Sequence, residues 1–272
     1  MEQKVGNHNK NKIRALFIVL GLSVGAMVFF AGSLLWELYT VGQGQAFYAS
    51  LSVEVKPRIV HTAQTRPSIG GEAFQAPEYE PEDEAAPFVD FDAMREIFPD
   101  IVAWIQSEGT VINYPIVQGR DNDYYLYRLA DGTRHSMGSI FLDYRNAADF
   151  SEQSIVIYGH DMRSGDKFGS FRHYSNQQYF EQHSTMFIFT PERDFELVLF
   201  AGYVLDSAFE VPPMSFRDLA AFESFIADIR RRSIFKSDVE IGFEDQLVFL
   251  ATCTTSGSVN ERLIIVGKLV EL

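Results

Sequence analysis

The chain has 272 residues and a formal net charge of −14, and 46% of its residues are hydrophobic, with 24 Phe among the aromatics. This composition supplies enough apolar side chains for one sizeable packed domain with appendages. The acidic charge argues against nucleic acid as a partner, because binding phosphates requires a basic face. A single cysteine cannot form an internal disulfide. In an exported protein it would be a buried small hydrophobe, an intermolecular link or a reactive thiol.

The N-terminus combines a short basic segment with a long apolar run. Residues 1–14 contain four Lys or Arg against one acid, and Ala15–Trp36 then runs without a charge. About 20 apolar residues span a bilayer as a helix, and basic flanks stay on the cytoplasmic side. A cleaved signal peptide is the alternative, but its apolar region is usually about 7–15 residues long. We predict a cytoplasmic N-terminus at 1–14, a transmembrane anchor at 15–36 and an extracellular remainder.

Residues 37–87 are predicted to be an extracellular stalk. The start of the segment is compatible with a helical continuation of the anchor, and the segment ends in Pro77–Pro87, where prolines alternate with clustered acids. Such a composition cannot form a core and keeps a chain extended. The simplest interpretation of the acidic run is a solvated spacer, and an acidic docking motif is the alternative.

The remainder, 88–272, is predicted to be mostly β. Asp90–Pro99 has helical spacing with Asp90 as N-cap, and Ser215–Arg232 is a longer amphipathic helix with Ser215 as its cap. Many short apolar runs separated by turn signals indicate strands. With one inserted helix, this pattern favours a closed or nearly closed β-barrel. The main predicted strands are Thr110–Val117, Gly138–Asp143, Ser154–Tyr158, Thr185–Phe189, Phe195–Leu205, Leu247–Cys253 and Arg262–Leu269.

The last two strands place a thiol and a guanidinium near each other. Leu247–Cys253 is joined by a short polar loop to a strand that opens with Arg262. Antiparallel neighbours bring the end of one strand beside the start of the next. Cys253 is a candidate nucleophile, although a cysteine in an apolar strand is often only part of the core. Arg262 could pair with a surface carboxylate, or it could stabilise negative charge on a carbonyl oxygen.

His160 is the candidate proton carrier. It follows the apolar run Ser154–Tyr158 and is predicted to lie in a Gly-containing loop, where catalytic groups are common and surface histidines are too. A cysteine, a histidine and an arginine supply nucleophile, proton carrier and oxyanion clamp for acyl transfer. No Cys/His set matches a zinc site, so neither a metal nor a cofactor is expected.

These residues together resemble the sortase family. The inserted helix Ser215–Arg232 and the segment Thr110–Gln118 are similar to class B sortases in particular, and the resemblance covers roughly residues 88–272. The features that carry it are Leu250-Ala-Thr-Cys253 with Arg262 nine positions on, Tyr158-Gly-His160 upstream, and a single membrane anchor.

The resemblance implies an eight-stranded barrel with N-terminal helices and one inserted helix. It also implies a cysteine transpeptidase (a thiol peptidase by class) in which Cys253 attacks the carbonyl of a Thr in the sorting signal of an exported protein. His160 would protonate the leaving amine, and Arg262 would hold the substrate and the oxyanion. An amine of a cell-wall precursor or of a pilin would then resolve the thioacyl-enzyme.

Further positions near the substrate also follow from the resemblance. Residues matching Asn113 and Val117 line the sorting-signal groove in the family. Ala251 stands where class B members commonly have Ser, and Thr254 stands where an acidic residue often follows the Cys. Two other functions are also compatible with the sequence. One is a membrane-anchored cysteine hydrolase that uses water as acceptor, and the other is a non-catalytic wall-binding barrel in which Cys253 belongs to the core.

Overall fold

The computed structural model describes residues 2–52, 89–205, 212–253 and 261–272. Side chains are described in these ranges except for residues 2–15, Ser52 and Cys253. The chain divides into two compact units, Met1–Phe47 and Tyr48–Leu272. Most of the predicted stalk (53–87) lies outside the described residues, as does the predicted substrate contact Thr254.

A single helix, α1, occupies Glu2–Ser52. Its segment Leu16–Leu51 is long and apolar enough to cross a membrane, and none of its most apolar stretch is buried. Phe29 and Trp36, for example, expose 72% and 68% of their surface. Helical structure continues past the predicted anchor, and the last turns differ from the rest because Tyr48 and Leu51 are buried.

Eight strands of the described chain form a closed barrel, as the sequence predicted. Their order around the barrel is β1-β2-β3-β4-β7-β8-β6-β5, with β5 paired back to β1. The pairs β2–β3 and β4–β7 are parallel and the other neighbours are antiparallel. The strands are β1 Ile101–Gln106, β2 Asn113–Val117, β3 Ile140–Leu142, β4 Ser154–His160, β5 Thr185–Phe189, β6 Asp194–Leu205, β7 Gln246–Cys253 and β8 Arg262–Glu271.

The strand β4 lies at the centre of the packing. All seven of its residues are buried, and its neighbour β7 is buried from Leu247 to Thr252. A strand covered on both faces has a continuous apolar sequence, as in Ser154–Tyr158. The strand runs two residues beyond its predicted end, so His160 is the last residue of β4 and does not lie in the loop. The reason is that His160 continues the ladder with β7.

Short helices fill the connections between strands. They are α2 Phe91–Ile97, α3 Gln177–Gln182 and α4 Leu219–Arg232, with 3₁₀ turns at Tyr125–Tyr127 and Phe168–Ser175. In α2 the predicted cap is confirmed, because the Asp90 side chain accepts a hydrogen bond from the Ala93 N–H at 3.0 Å.

The helix α4 begins later than the sequence predicted. The predicted cap Ser215 is wrong, because the Asp218 carboxylate accepts from the Ala221 N–H at 2.8 Å and starts the helix at Leu219. The helix then buries Phe222, Ile226 and Ile229. An ionised side chain is the better partner for the exposed N–H groups of a first turn.

Removing this cap tests where the helix begins. Asp218→Ala should lower the free energy of unfolding by about 1 kcal/mol, because it leaves a first-turn N–H without its acceptor. Ser215→Ala, at the exposed position that the sequence pattern favoured, should have no measurable effect. Chemical denaturation of the full chain in detergent micelles measures both. Equal losses in the two variants would contradict a start at Leu219.

Candidate active site

The pairing of three strands brings the candidate catalytic residues into one row. In the parallel β4–β7 pair, His160 is the register partner of Cys253. In the antiparallel β7–β8 pair, the register ends at Ala251 and Ile264. If the same register is continued by two residues in each strand, Cys253 lies opposite Arg262. Since neighbouring strands lie about 4.8 Å apart, the three backbones are adjacent at one rim of the barrel.

His160 is held by one of its two ring nitrogens. The side chain is only 1% exposed, and Nε2 lies 2.6 Å from the carbonyl oxygen of Leu126, in the segment before β3. A carbonyl can only accept, so Nε2 carries the hydrogen and donates it. The other nitrogen, Nδ1, is buried and has no hydrogen-bond partner within the described part of the chain. In the neutral ring Nδ1 therefore bears the free lone pair.

The surroundings of His160 favour its neutral form. Burial lowers the pKa of the imidazole from 6.5 to about 4, the positive charge of Lys167 lowers it as well, and the hydrogen bond to Leu126 opposes the shift. Desolvation and a nearby cation both disfavour a second positive charge. At neutral pH the ring is thus a base with an available Nδ1.

Two glycines lie where a side chain would collide with a neighbour, Gly138 with the imidazole and Gly159 with Phe168. Gly138 has φ +60°, and a Cβ there would lie 2.8 Å from His160 Nε2 and would also collide with the Leu126 carbonyl. At Gly159, a Cβ would lie 2.6 Å from the ring of Phe168. The backbone can approach this closely only where no side chain intervenes. The Gly-His pair of the motif is therefore a packing requirement of this site.

Arg262 opens β8 with a buried donor. Its backbone pairs with Leu205 of β6, and the side chain is half-buried. The Nε atom is buried and makes no hydrogen bond to any described residue. A buried donor without an acceptor is costly, so this one calls for an acceptor from outside the described residues.

The predicted substrate contacts lie near this row. Val117 and Ala251 belong to the row of paired residues two positions below, which runs through Phe141 and Tyr158, and both are fully buried. Asn113 is half-buried at the start of β2, where its Oδ1 accepts from Trp104 Nε1 at 2.7 Å. The structure therefore brings Val117 and Ala251 beneath the row of His160. Their contact with substrate stays a prediction.

Sequence reasoning missed Lys167. The side chain is fully buried, and Nζ donates to the carbonyl of Met137 at 2.9 Å and to that of Gly138. A lysine in a polar, Gly-containing loop normally lies at the surface, so the sequence contains no signal for this burial. Only the path of the loop over the barrel places it beside His160.

Comparison with known proteins defines the class. No family model matches the chain. Sortase B of Listeria monocytogenes serovar 1/2a (strain ATCC BAA-679 / EGD-e) is 32% identical over 178 residues, which cover 65% of this chain and 72% of the relative. Sortase B of Staphylococcus aureus (strain NCTC 8325 / PS 47) is 27% identical over 183 residues, or 67% and 75% of the two chains.

Solved structures agree with these relatives. A Bacillus anthracis protein described as similar to sortase B superimposes with a TM-score of 0.62 at 35% identity, covering 67% of this chain and 83% of that one. A Staphylococcus aureus sortase B–substrate complex gives 0.64 at 27%, with coverages of 67% and 85%. The fold and these relatives thus define the class, the sortase-type family of cysteine transpeptidases. The chain belongs to the sortase B family.

Substitution of Gly138 tests the packing against His160. Gly138→Ala should cost about 1–3 kcal/mol of stability beyond backbone strain and reduce transpeptidation, because the added methyl displaces the ring. Gly165→Ala is the matched control: its φ is +85°, but a Cβ there meets nothing within 4 Å. It should carry only the cost of about 1–2 kcal/mol for a left-handed residue. Chemical unfolding and a transfer assay on the full chain separate the two, and equal effects would contradict the contact.

Proposed function

We propose that this chain is a membrane-anchored transpeptidase that cleaves a Thr-containing sorting signal through a thioacyl-enzyme on Cys253. The observation that supports this proposal is the register of β4, β7 and β8, which aligns His160, Cys253 and Arg262 in neighbouring strands. A nucleophile, a proton carrier and a cationic donor at one strand rim are the requirements of acyl transfer.

His160 carries the proton in this scheme. Its Nδ1 takes the proton of the Cys253 thiol, since Nε2 is already committed to the Leu126 carbonyl. Because the pKa of His160 is lowered to about 4, the neutral thiol–imidazole pair dominates at neutral pH. The thiolate–imidazolium pair is a minor population that reacts.

Acylation and deacylation each break one bond and form one bond at the carbonyl carbon, and His160 carries the proton in both. The sulfur attacks the carbonyl carbon of the substrate Thr, and as the C–N bond breaks, the imidazolium gives its proton to the leaving amine. The acceptor amine attacks the thioester carbon, returns a proton to His160 and expels the sulfur. A general acid–base of this kind contributes typically 10²–10⁴-fold to a rate.

Arg262 holds the substrate carbonyl oxygen. Its buried Nε lacks an acceptor in the described part of the chain, which fits a donor reserved for the oxyanion. The guanidinium is always charged and offers a planar fork that lysine cannot reproduce.

The partners follow from the family. One solved sortase B is a complex with substrate, and another is a complex with triglycine. For this chain we propose a sorting-signal-bearing exported protein as acyl donor, with an amine of a cell-wall precursor or of a pilin as acceptor. Asn113, Val117, Ala251 and Thr254 would lie along the donor peptide.

The long apolar helix supports a membrane anchor. A bilayer core is about 30 Å thick, which about 20 helical residues span, so the run 15–36 suffices. With four basic residues in 1–14 and none in residues 15–55, the catalytic barrel would lie outside the cell. Holding enzyme and substrate at one surface raises their effective concentration.

Substitution of the nucleophile tests the proposal. Cys253→Ala and His160→Gln should reduce transfer of Thr-containing library peptides to triglycine to background without unfolding the barrel, because the acyl-enzyme cannot form. His173→Gln changes an exposed histidine and should be as active as the parent chain. Mass spectrometry of products is the measurement, and transfer by Cys253→Ala would refute the scheme. Hydrolysis that is unchanged by added amine would instead indicate a hydrolase.

Arg262 gives an independent test. Arg262→Lys should lower kcat/KM by about 10²–10³-fold, since the lysine ammonium cannot present the Nε donor. Arg231→Lys, on the exposed face of α4, serves as control and should leave kcat/KM unchanged. Steady-state kinetics on the full chain measures this, and a fully active Arg262→Lys would exclude the proposed role of the guanidinium.

A further inference from the structure

The most unusual charged group in the barrel is Lys167. Within the described residues it is the one lysine or arginine that is fully buried, and it forms no ion pair there. Its polar partners are two carbonyls, and its ammonium lies 4.5 Å from the ring centre of Tyr48. An aromatic face and carbonyl oxygens are the groups that stabilise a cation where no carboxylate is available.

The backbone at Lys167 also departs from the ordinary. Its φ is +50°, a left-handed value that is uncommon for a long side chain. Such strain persists only where surrounding contacts determine it, and it clusters at functional sites. The contacts here include a hydrogen bond from the Lys167 N–H to the Tyr114 hydroxyl at 3.3 Å.

Tyr48 brings the end of helix α1 into the same cluster. Its hydroxyl lies 3.1 Å from both the Gly138 carbonyl oxygen and Ser139 Oγ. Its ring meets that of Tyr114 edge-on, with centroids 5.3 Å apart. The last turns of the helix that contains the apolar segment thus include Tyr48, which is only 6% exposed and shares a carbonyl with Lys167.

The shared carbonyl belongs to the glycine that packs on His160. Gly138 lies so close to Nε2 that a Cβ would be 2.8 Å away. Lys167 and Tyr48 therefore fix the peptide that, with Leu126, defines the position of the ring. The route from α1 to the imidazole is Tyr48, Lys167, Gly138 and His160.

Charge acts along the same route. Burial lowers the pKa of His160 most, and the positive charge of Lys167 lowers it further. Burial likewise lowers the pKa of Lys167 itself, which the neighbouring Asp166 opposes. Two bases in one desolvated cluster disfavour each other's protonation. Other titratable or charged residues near His160 are Tyr127, with its ring 6.2 Å from the imidazole, and Asp161, the next residue in the chain, which pairs with Arg172 at 2.8 Å. The neighbouring strand positions are Cys253 and Arg262.

We propose that Lys167 and Tyr48 are positioning residues for the catalytic histidine, so that the end of helix α1 is a working part of the active site as well as a tether. The inference rests on the proposed function, because His160 is a catalytic residue only there. In this arrangement the cluster keeps the imidazole neutral and Nδ1 available. It does so only while Tyr48 occupies its place against Lys167.

The test is the titration of His160 in the full chain, reconstituted in nanodiscs with ring-labelled histidine. NMR from pH 8 to pH 5 follows the imidazole signals, and His160→Gln assigns the relevant one. In the parent chain His160 should stay neutral throughout this range. Lys167→Met keeps the side-chain volume without the charge, and its His160 should begin to protonate inside the range, toward the ordinary value of about 6.5.

Tyr48→Leu examines the helix. It should shift the His160 titration in the same direction and lower kcat severalfold with little change in KM, because the ring loses its alignment and the peptide site is untouched. Lys236→Met and Tyr39→Leu are the matched controls, since both residues are exposed and Tyr39 lies on the same helix. Neither control should move the titration.

The two variants test different parts of the proposal. An unchanged His160 titration in Lys167→Met would overturn the proposal. A shift in Lys167→Met with none in Tyr48→Leu would overturn the part given to α1. The NMR titration does not require the enzyme to turn over substrate. A parent chain that fails to transfer acyl groups would therefore refute the proposed function without changing the titration result.

Discussion

The parallel pairing of β4 with β7 is the constraint on which the rest of the structure depends. Parallel neighbours cannot be joined by a tight hairpin, so the chain must cross over between them. Here the crossover includes α3, β5, β6 and α4. Because both strands run in the same direction, their C-terminal ends meet at one rim, and His160 becomes the neighbour of Cys253. A slip of one residue would turn one of the two to the opposite face.

Buried ionisable groups in the barrel fall into two kinds. Asp143 is fully buried, and although burial raises its pKa, hydrogen bonds from Arg145, Asn122 and Tyr158 lower it below the usual value. That carboxylate is stabilised as an ion. For His160 and Lys167 the opposing contacts with Leu126 and Asp166 do not outweigh burial, and the pKa of each is lowered. The first arrangement fixes structure, whereas the second maintains a base that can accept a proton.

The helix α1 joins two roles that are normally separate. Its apolar part has the length and composition of a membrane span, and its last turns contribute the buried side chains of Tyr48 and Leu51 to the unit that contains the barrel. Through Tyr48, the last turns of this helix pack against Lys167, the residue proposed to position His160.

The sequence by itself determined the family and most of the elements. Apolar runs marked seven of the eight strands, all except β1, and helical spacing marked the amphipathic helix. The unusual combination of one cysteine with Tyr158-Gly-His160 and Arg262 indicated the sortase family. These signals are local, since alternation and composition are properties of short segments. The start of α4 was misplaced because Ser215 and Asp218 are both acceptable caps by pattern, and only the folded chain shows which carboxylate or hydroxyl meets the free N–H groups.

Tertiary structure alone decided what surrounds the histidine. No pattern in the sequence places Leu126 against Nε2, removes the side chain at Gly138 for steric reasons, or buries Lys167 under Tyr48. These contacts join segments far apart in the chain, and they depend on how loops cross the barrel. Propensity and periodicity describe each segment against its own neighbours, so the protonation of His160, which depends on all of these segments together, follows only from the fold.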